Sequence, residues 1–153
     1  MSTNIVVERI DAAQVDALLP LFLDYLRFYE RPIDAPAAQA FLQARLQGEQ
    51  SVVFLARVDE EAAGFVQLYP AFASLSLAPS WILNDLYVAE PARGRGIAKA
   101  LMQAAESLAR ETGAAEIFLQ TARSNTPAQA LYEGLGYGRD DEFLVYTLSL
   151  PHA

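Results

Sequence analysis

The chain has 153 residues, of which 53% are hydrophobic and 20% charged, and this composition predicts one well-packed domain over 1–153. Its 19 acidic and 11 basic residues give a formal net charge of −8, a balance that repels nucleic acid and attracts cations, or that serves solubility alone. The absence of cysteine excludes thiolate metal sites, cysteine nucleophiles and disulfides, and a single histidine, His152, argues against a multi-histidine metal site.

The N-terminal residues show no signal-peptide pattern, because no basic stretch is followed by an apolar one. No apolar run reaches the length that a membrane-spanning helix needs. We therefore expect a cytoplasmic protein that binds neither membranes nor nucleic acid.

The first part of the chain is predicted to form one strand and two helices. The β-branched run 5–10 indicates a strand, and Asp11 then caps a helix that continues to about Glu30. Pro20 is expected to kink or divide this helix. A second helix is predicted over 37–48, where a glycine ends it.

In the rest of the chain, three consecutive strands are followed by helices and strands that alternate. The predicted elements are strands at 51–58, 62–77 and 80–90, a helix at 96–112, a strand at 115–122, a helix at 126–136 and a final strand at 143–150. Consecutive strands followed by strand–helix crossovers predict a mixed α/β sheet with helices on both faces.

The loop "ARGRGIAK", 92–99, separates a predicted strand from a helix. Its glycines permit a tight turn, and the start of the helix adds a partial positive charge, so the loop favours a phosphate or pyrophosphate. A Walker loop requires Lys-Ser/Thr directly after its last glycine, where this chain has Ile97 and Ala98. A dinucleotide fingerprint requires glycine at the position of Lys99, so both of these nucleotide-binding motifs are excluded.

Two stretches carry a resemblance to a known family. "RGRGIA", 93–98, resembles the R/Q-x-x-G-x-G/A loop of the GNAT (GCN5-related N-acetyltransferase) superfamily, and "SNTPAQALYEGLGY", 124–137, resembles its second signature. The resemblance covers the whole chain and is nearest to fungal histone/polyamine and D-amino-acid N-acetyltransferases and to bacterial small-amine acetyltransferases. It implies a mostly antiparallel mixed sheet of six to seven strands with about four helices.

The same resemblance implies acetyl-CoA as cosubstrate and no metal. The pyrophosphate would lie on the loop, the pantetheine arm along the preceding strand, and backbone N–H groups near Leu86 and Tyr87 would hold the thioester carbonyl. The implied cofactor-binding residues are Leu86, Tyr87, Val88, Arg93, Gly94, Arg95, Gly96, Ile97, Ala98, Lys99 and Asn125, with the side chains of Arg93, Arg95 and Lys99 free to flank the anion.

Acetyl transfer needs a neutral amine, a stabilised oxyanion and a proton for the leaving sulfur. Tyr132 is the candidate acid, although a core aromatic is its alternative reading, and a capping box beginning at Thr126 is expected to fix its helix. Asp85 is the candidate base, acting directly or through water, or else it binds the substrate or orients a loop. The predicted substrate-binding residues are Tyr25, Tyr29, Glu30 and Asn84, and Glu30 is also a weaker candidate base.

The resulting expectation is an N-acetyltransferase acting on a small primary amine such as a polyamine or amino acid. Two alternatives stay open: an enzyme that acetylates a protein lysine or N-terminus, and a CoA-binding regulatory module without catalysis. The final apolar strand would suit pairing across a two-fold axis, so we also expect a homodimer.

Overall fold

The computed structural model describes residues 4–152 and divides into two compact units, one up to Gln120 and one from Thr121 onward. The elements of the first unit are β1 (Ile5–Ile10), α1 (Val15–Phe28), α2 (Ala35–Gln47), β2 (Val52–Val58), β3 (Glu61–Ala73), β4 (Ala78–Val88), α3 (Ile97–Glu111) and β5 (Ile117–Phe118). The second unit contains α4 (Thr126–Gly134). The expectation of a single domain stays a prediction.

The five strands form one mixed sheet in the order β1-β2-β3-β4-β5, with only the β4–β5 pair parallel. Two successive residues of β3, which point to opposite faces of the sheet, show that helices cover both faces. The ring of Phe65 lies 6.1 Å from that of Phe22 on α1, whereas Gly64 faces Ile97 and Leu101 of α3. The mixed α/β fold is confirmed. The sheet has five strands within residues 4–152, fewer than the six to seven expected.

Helix α1 is continuous through Pro20, so this proline does not divide the helix. Proline removes one backbone hydrogen bond, but buried Leu18 and Leu21 anchor the helix on both sides of it, and this packing outweighs the cost. Asp11 caps the preceding 3-10 turn, with its side chain accepting from the Ala13 N–H, as predicted for the start of this region.

Strand β5 is much shorter than the predicted 115–122. It pairs with β4 only around Trp81 and Ile82, although the Ala115 N–H also donates to the Pro79 carbonyl. Beyond this point β4 continues to Val88, and on this side it has no strand neighbour among the described residues. The sheet therefore opens along 83–88.

The predicted final strand at 143–150 does not form. A strand needs a neighbour to satisfy its backbone groups, and none pairs with this segment within residues 4–152. Its apolar side chains are exposed, and the Asp140 side chain accepts from the N–H groups of Glu142 and Phe143 in a turn just before it. The predicted cap at Thr126 is also wrong, because Asn125 is the N-cap of α4 and accepts from the Ala128 N–H.

Candidate active site

An irregularity in the β3–β4 pairing places two polar side chains next to each other. Gln67 pairs with Asp85 and the next residue, Leu68, pairs with Leu83, so Asn84 is an extra residue that bulges from β4. Such a bulge redirects the side chains beside it. Gln67 and Asp85 consequently lie on the sheet face that carries Phe65 and α1.

Asp85 is 7% exposed and accepts hydrogen bonds from three side chains. The Tyr25 hydroxyl donates to Oδ1 at 2.9 Å, and Gln67 Nε2 donates to Oδ2 at 2.9 Å. Asn84 Nδ2 lies 3.1 Å from both carboxylate oxygens. Because a buried carboxylate is costly unless donors surround it, these contacts are what allow the acid to occupy the protein interior. We call these four residues the Asp85 cluster.

Aromatic rings enclose the Asp85 cluster on the side of α1. The ring of Tyr25 makes edge contacts with those of Phe65, Tyr87 and Tyr29, at centroid distances of 5.6, 5.9 and 5.2 Å. Tyr29 and its neighbour Phe28 are more than half exposed. The contacting rings thus connect a buried acid to solvent-exposed aromatic faces, which attract cations.

Two tyrosine hydroxyls near Asp85 keep their protons over the physiological range. Burial, and then the negative charge of Asp85, raise the pKa of Tyr25 well above its ordinary value and that of Tyr69 to about 12. Neither Gln67 nor Tyr69 was singled out from the sequence as a site residue. The alternation of β3 was the available signal, since 65, 67 and 69 share a strand face in a regular strand.

The glycine loop has the backbone conformation that its sequence indicates. Gly94 and Gly96 have φ values of +79° and +84°, and a Cβ on either would meet no atom within 4 Å. Glycine is therefore needed for the left-handed conformation and not for space. Helix α3 begins after Gly96 without a side-chain cap, which leaves the N–H groups of its first turn available to an anion.

The side chains of the loop differ in what they contact. Arg93 turns back, so the expectation of a free flanking cation is wrong for this residue: its Nε donates to the Val88 carbonyl at 2.9 Å, and its guanidinium lies over the rings of Tyr87 and Phe28 at 5.5 and 5.7 Å. Ile97 is buried, so only its backbone can face a ligand, whereas Arg95 and Lys99 are exposed.

The other predicted site residues lie elsewhere in the chain. Glu30 follows α1, is exposed, and has a left-handed φ of +56° that ends the helix. In the second unit, Tyr132 is half-buried on α4 and its ring lies 6.0 Å from that of Tyr137, while the Asn125 side chain caps the same helix. The structure thus brings Tyr25, Tyr29, Asn84 and Asp85 together in the first unit.

Within residues 4–152, no three acidic or histidine side chains are close enough together to hold a metal ion. No helix in the same range is both long and apolar enough to cross a membrane.

Comparisons with known proteins agree with this geometry. The model of the acetyltransferase (GNAT) family matches residues 16–137. The uncharacterized N-acetyltransferase YhfO of Bacillus subtilis (strain 168) is 43% identical over 135 residues, which cover 88% of this chain and 91% of that protein. A crystal structure of a "probable acetyltransferase" superposes with a TM-score of 0.91 at 42% identity, covering 97% of this chain and 99% of the other.

A more distant structure, that of the aminoglycoside N-acetyltransferase AAC(6')-Iy in complex with CoA, has a TM-score of 0.80 at 20% identity and covers 98% of both chains. At that identity the likeness shows the fold alone. The family match and the relative of similar length are decisive: this chain belongs to the GNAT family and is an acetyltransferase.

Proposed function

We propose that this protein transfers an acetyl group from acetyl-CoA to a primary amine of a small molecule, directly within a ternary complex. GNAT acetyltransferases use acetyl-CoA, which supplies an activated acetyl thioester. Two features of the first unit fit it: the uncapped start of α3 after two left-handed glycines, and the outer edge of β4 left open along 83–88.

The donor would be held mainly by backbone groups. The N–H groups of 94–99 would bind its pyrophosphate, since that of Arg93 already donates to the Glu90 carbonyl. The N–H groups near Leu86 and Tyr87 would hold its thioester carbonyl. Arg95 and Lys99 are exposed and available to the phosphates, and Asn125 would contact the pantetheine arm. Tyr132 would protonate the departing sulfur.

The Asp85 cluster is the main observation in support of a small amine as the acetyl acceptor. A buried carboxylate behind aromatic rings attracts a cation, and the half-exposed ring of Tyr29 offers a face on which a small ammonium group could lie. The net charge of −8 attracts cations over a longer range. Asp85 would take up the amine proton, with Asn84 beside it, and exposed Glu30 would attract the amine at the entrance.

The experiment is to follow thiol release from acetyl-CoA with a panel of polyamines, amino acids, aminoglycosides and lysine or N-terminal peptides, with acetylated products identified by mass spectrometry. We expect turnover of a small amine at least tenfold more efficient than that of any peptide. Preference for a peptide would favour the protein-acetylating alternative. Binding of acetyl-CoA without acetylation of any acceptor would favour a regulatory module.

A homodimer in the cytoplasm belongs to the same proposal. Six apolar side chains of 143–150 are between 65% and 88% exposed, and a second copy of the chain is a partner that would cover them. Light scattering coupled to size-exclusion chromatography tests this: we expect twice the mass of one 16.8 kDa chain, and a monomer would contradict it.

A further inference from the structure

Hydrogen bonds already engage both oxygens of the Asp85 carboxylate. The Tyr25 hydroxyl donates to Oδ1, Gln67 Nε2 donates to Oδ2, and Asn84 Nδ2 is shared between the two oxygens. Because Asp85 is also only 7% exposed, these contacts and its burial hinder a direct approach of a substrate amine to the carboxylate.

The Tyr25 hydroxyl, in contrast, retains acceptor capacity. It donates its one hydrogen to Asp85 Oδ1, which leaves the lone pairs of its oxygen for a further donor. Tyr25 is only partly buried, and its ring lies 5.2 Å from that of Tyr29, which is 53% exposed. The ring of Tyr25 therefore connects the Asp85 cluster to the exposed ring of Tyr29.

Gln67 holds the carboxylate in the orientation that Tyr25 needs. Its Nε2 donates to Oδ2, and its Oε1 is buried without a hydrogen-bond partner among the described residues. Rotating the amide by 180° would place Oε1 against Oδ2, acceptor against acceptor. The observed orientation leaves one acceptor unsatisfied and keeps the carboxylate fixed, which makes Gln67 a positioning residue.

We infer that Tyr25 is a catalytic residue that relays the amine proton to Asp85. This step rests on the proposed function. As the substrate ammonium gives one proton to the Tyr25 oxygen, the hydroxyl proton passes to Asp85 Oδ1. The products are a neutral amine, an intact phenol and a protonated Asp85, which later returns the proton to solvent. The neutral amine then forms the C–N bond and the C–S bond breaks. The nitrogen loses a second proton, which the leaving sulfur receives.

The kinetic test compares Tyr25→Phe, Asp85→Asn and the double variant, using the best small amine. Each single variant should lower kcat by about 10²-fold, as loss of acid–base catalysis typically does. The double variant should fall no more than about threefold further, because two members of one relay fail together. Asp59→Asn, at an exposed aspartate between β2 and β3, is the control and should keep the parent rate.

Three kinetic outcomes would overturn the relay: an unchanged kcat in Tyr25→Phe, multiplication of the two losses in the double variant, or an unaltered dependence of kcat on pH in Tyr25→Phe. Any of these with continued acetylation leaves the proposed function intact. Absence of acetylation in the parent protein would instead contradict the proposed function.

A second measurement needs neither turnover nor a folded Tyr25→Phe variant. In NMR spectra of protein labelled with ¹³C in its tyrosine rings, the resonance of Tyr25 is to be identified as the one that Asp85→Asn displaces most, because the Tyr25 hydroxyl donates to Asp85. Addition of butylamine without acetyl-CoA to the parent protein should displace the same resonance, because the amine donates to that hydroxyl. If butylamine leaves this resonance in place, the inference is wrong.

Discussion

The glycine loop and the Asp85 cluster are two sites built in different ways within the first unit. The loop offers backbone N–H groups, and its essential positions, Gly94 and Gly96, contribute no side chain. The Asp85 cluster depends on side chains from α1, β3 and β4 that meet around one buried acid. The loop should therefore be sensitive to changes in backbone dihedral angle, and the cluster to changes in charge and hydrogen bonding.

Substitution of Gln67→Glu should have the largest effect, since it places a second carboxylate against buried Asp85. We expect the free energy of unfolding at pH 7.5 to fall by about 3 kcal/mol or more, because a donor is lost and two like charges meet. Because a proton taken up between the two carboxylates removes one of the like charges, part of the stability lost at pH 7.5 should be recovered at pH 5.5.

Urea unfolding at the two pH values measures this effect. The control is Gln67→Met, which removes the hydrogen bond without adding charge and should cost only about 1–2 kcal/mol, independently of pH. Equal free energies of unfolding for Gln67→Glu and Gln67→Met at both pH values would show that the Asp85 cluster is not sensitive to charge.

The glycine loop should respond to a single methyl group. Gly96→Ala adds a Cβ at φ +84°, where space is free but the left-handed conformation costs about 1–2 kcal/mol. We expect a small loss of stability and a rise of about tenfold in KM for acetyl-CoA, because the loop relaxes away from its anion-binding conformation. Steady-state kinetics and urea unfolding provide the two readouts.

Gly134→Ala is the matched control for this methyl group. Gly134 is the last residue of α4, its φ lies outside the left-handed range, and a Cβ there also meets no atom within 4 Å. Alanine should leave stability equal or slightly higher. Equal effects of the two substitutions would show that the loop does not depend on its left-handed backbone.

The same contrast explains how much the sequence could predict. The loop was readable because adjacent residues specify it: two glycines between a strand and a helix. Tyr25, Asn84 and Asp85 were proposed from the family resemblance, but Gln67 and Tyr69 were not, because the contact of Gln67 with Asp85 depends on a strand register shifted by a bulge. Residues 143–150 show the converse: an apolar segment that favours a strand cannot supply the neighbour that a strand needs.

Tyr132→Phe tests the proposed role of Tyr132 as the acid that protonates the leaving sulfur. If Tyr132 protonates the leaving sulfur, loss of its hydroxyl should lower kcat tenfold or more and leave KM for acetyl-CoA within about twofold. Pre-steady-state mixing distinguishes slower chemistry from slower product release. An unchanged kcat would remove Tyr132 from catalysis and leave its ring as packing against Tyr137.

The smallest expected effect concerns the titration of Tyr69. Burial and the charge of Asp85 raise its pKa from 10.0 to about 12, and the positive charge of Arg45 acts in the opposite direction. In Asp85→Asn the burial and Arg45 remain but the negative charge is gone, so the pKa of Tyr69 should fall while staying above 10. Because a raised pKa favours the protonated folded state, the parent protein should lose stability as the pH rises from about 10 towards 12, and the variant should lose less. Absorbance at 295 nm, followed as the pH rises, measures the ionisation of tyrosine. Subtracting the curve of Tyr69→Phe from that of the parent protein gives the titration of Tyr69 with Asp85 present. Subtracting the curve of Asp85→Asn/Tyr69→Phe from that of Asp85→Asn gives it without the charge of Asp85, and the midpoints of the two difference curves are then compared. Equal midpoints would mean that the charge of Asp85 is neutralised within its own cluster, and the attraction of the site for a cationic amine would then come from the aromatic rings alone.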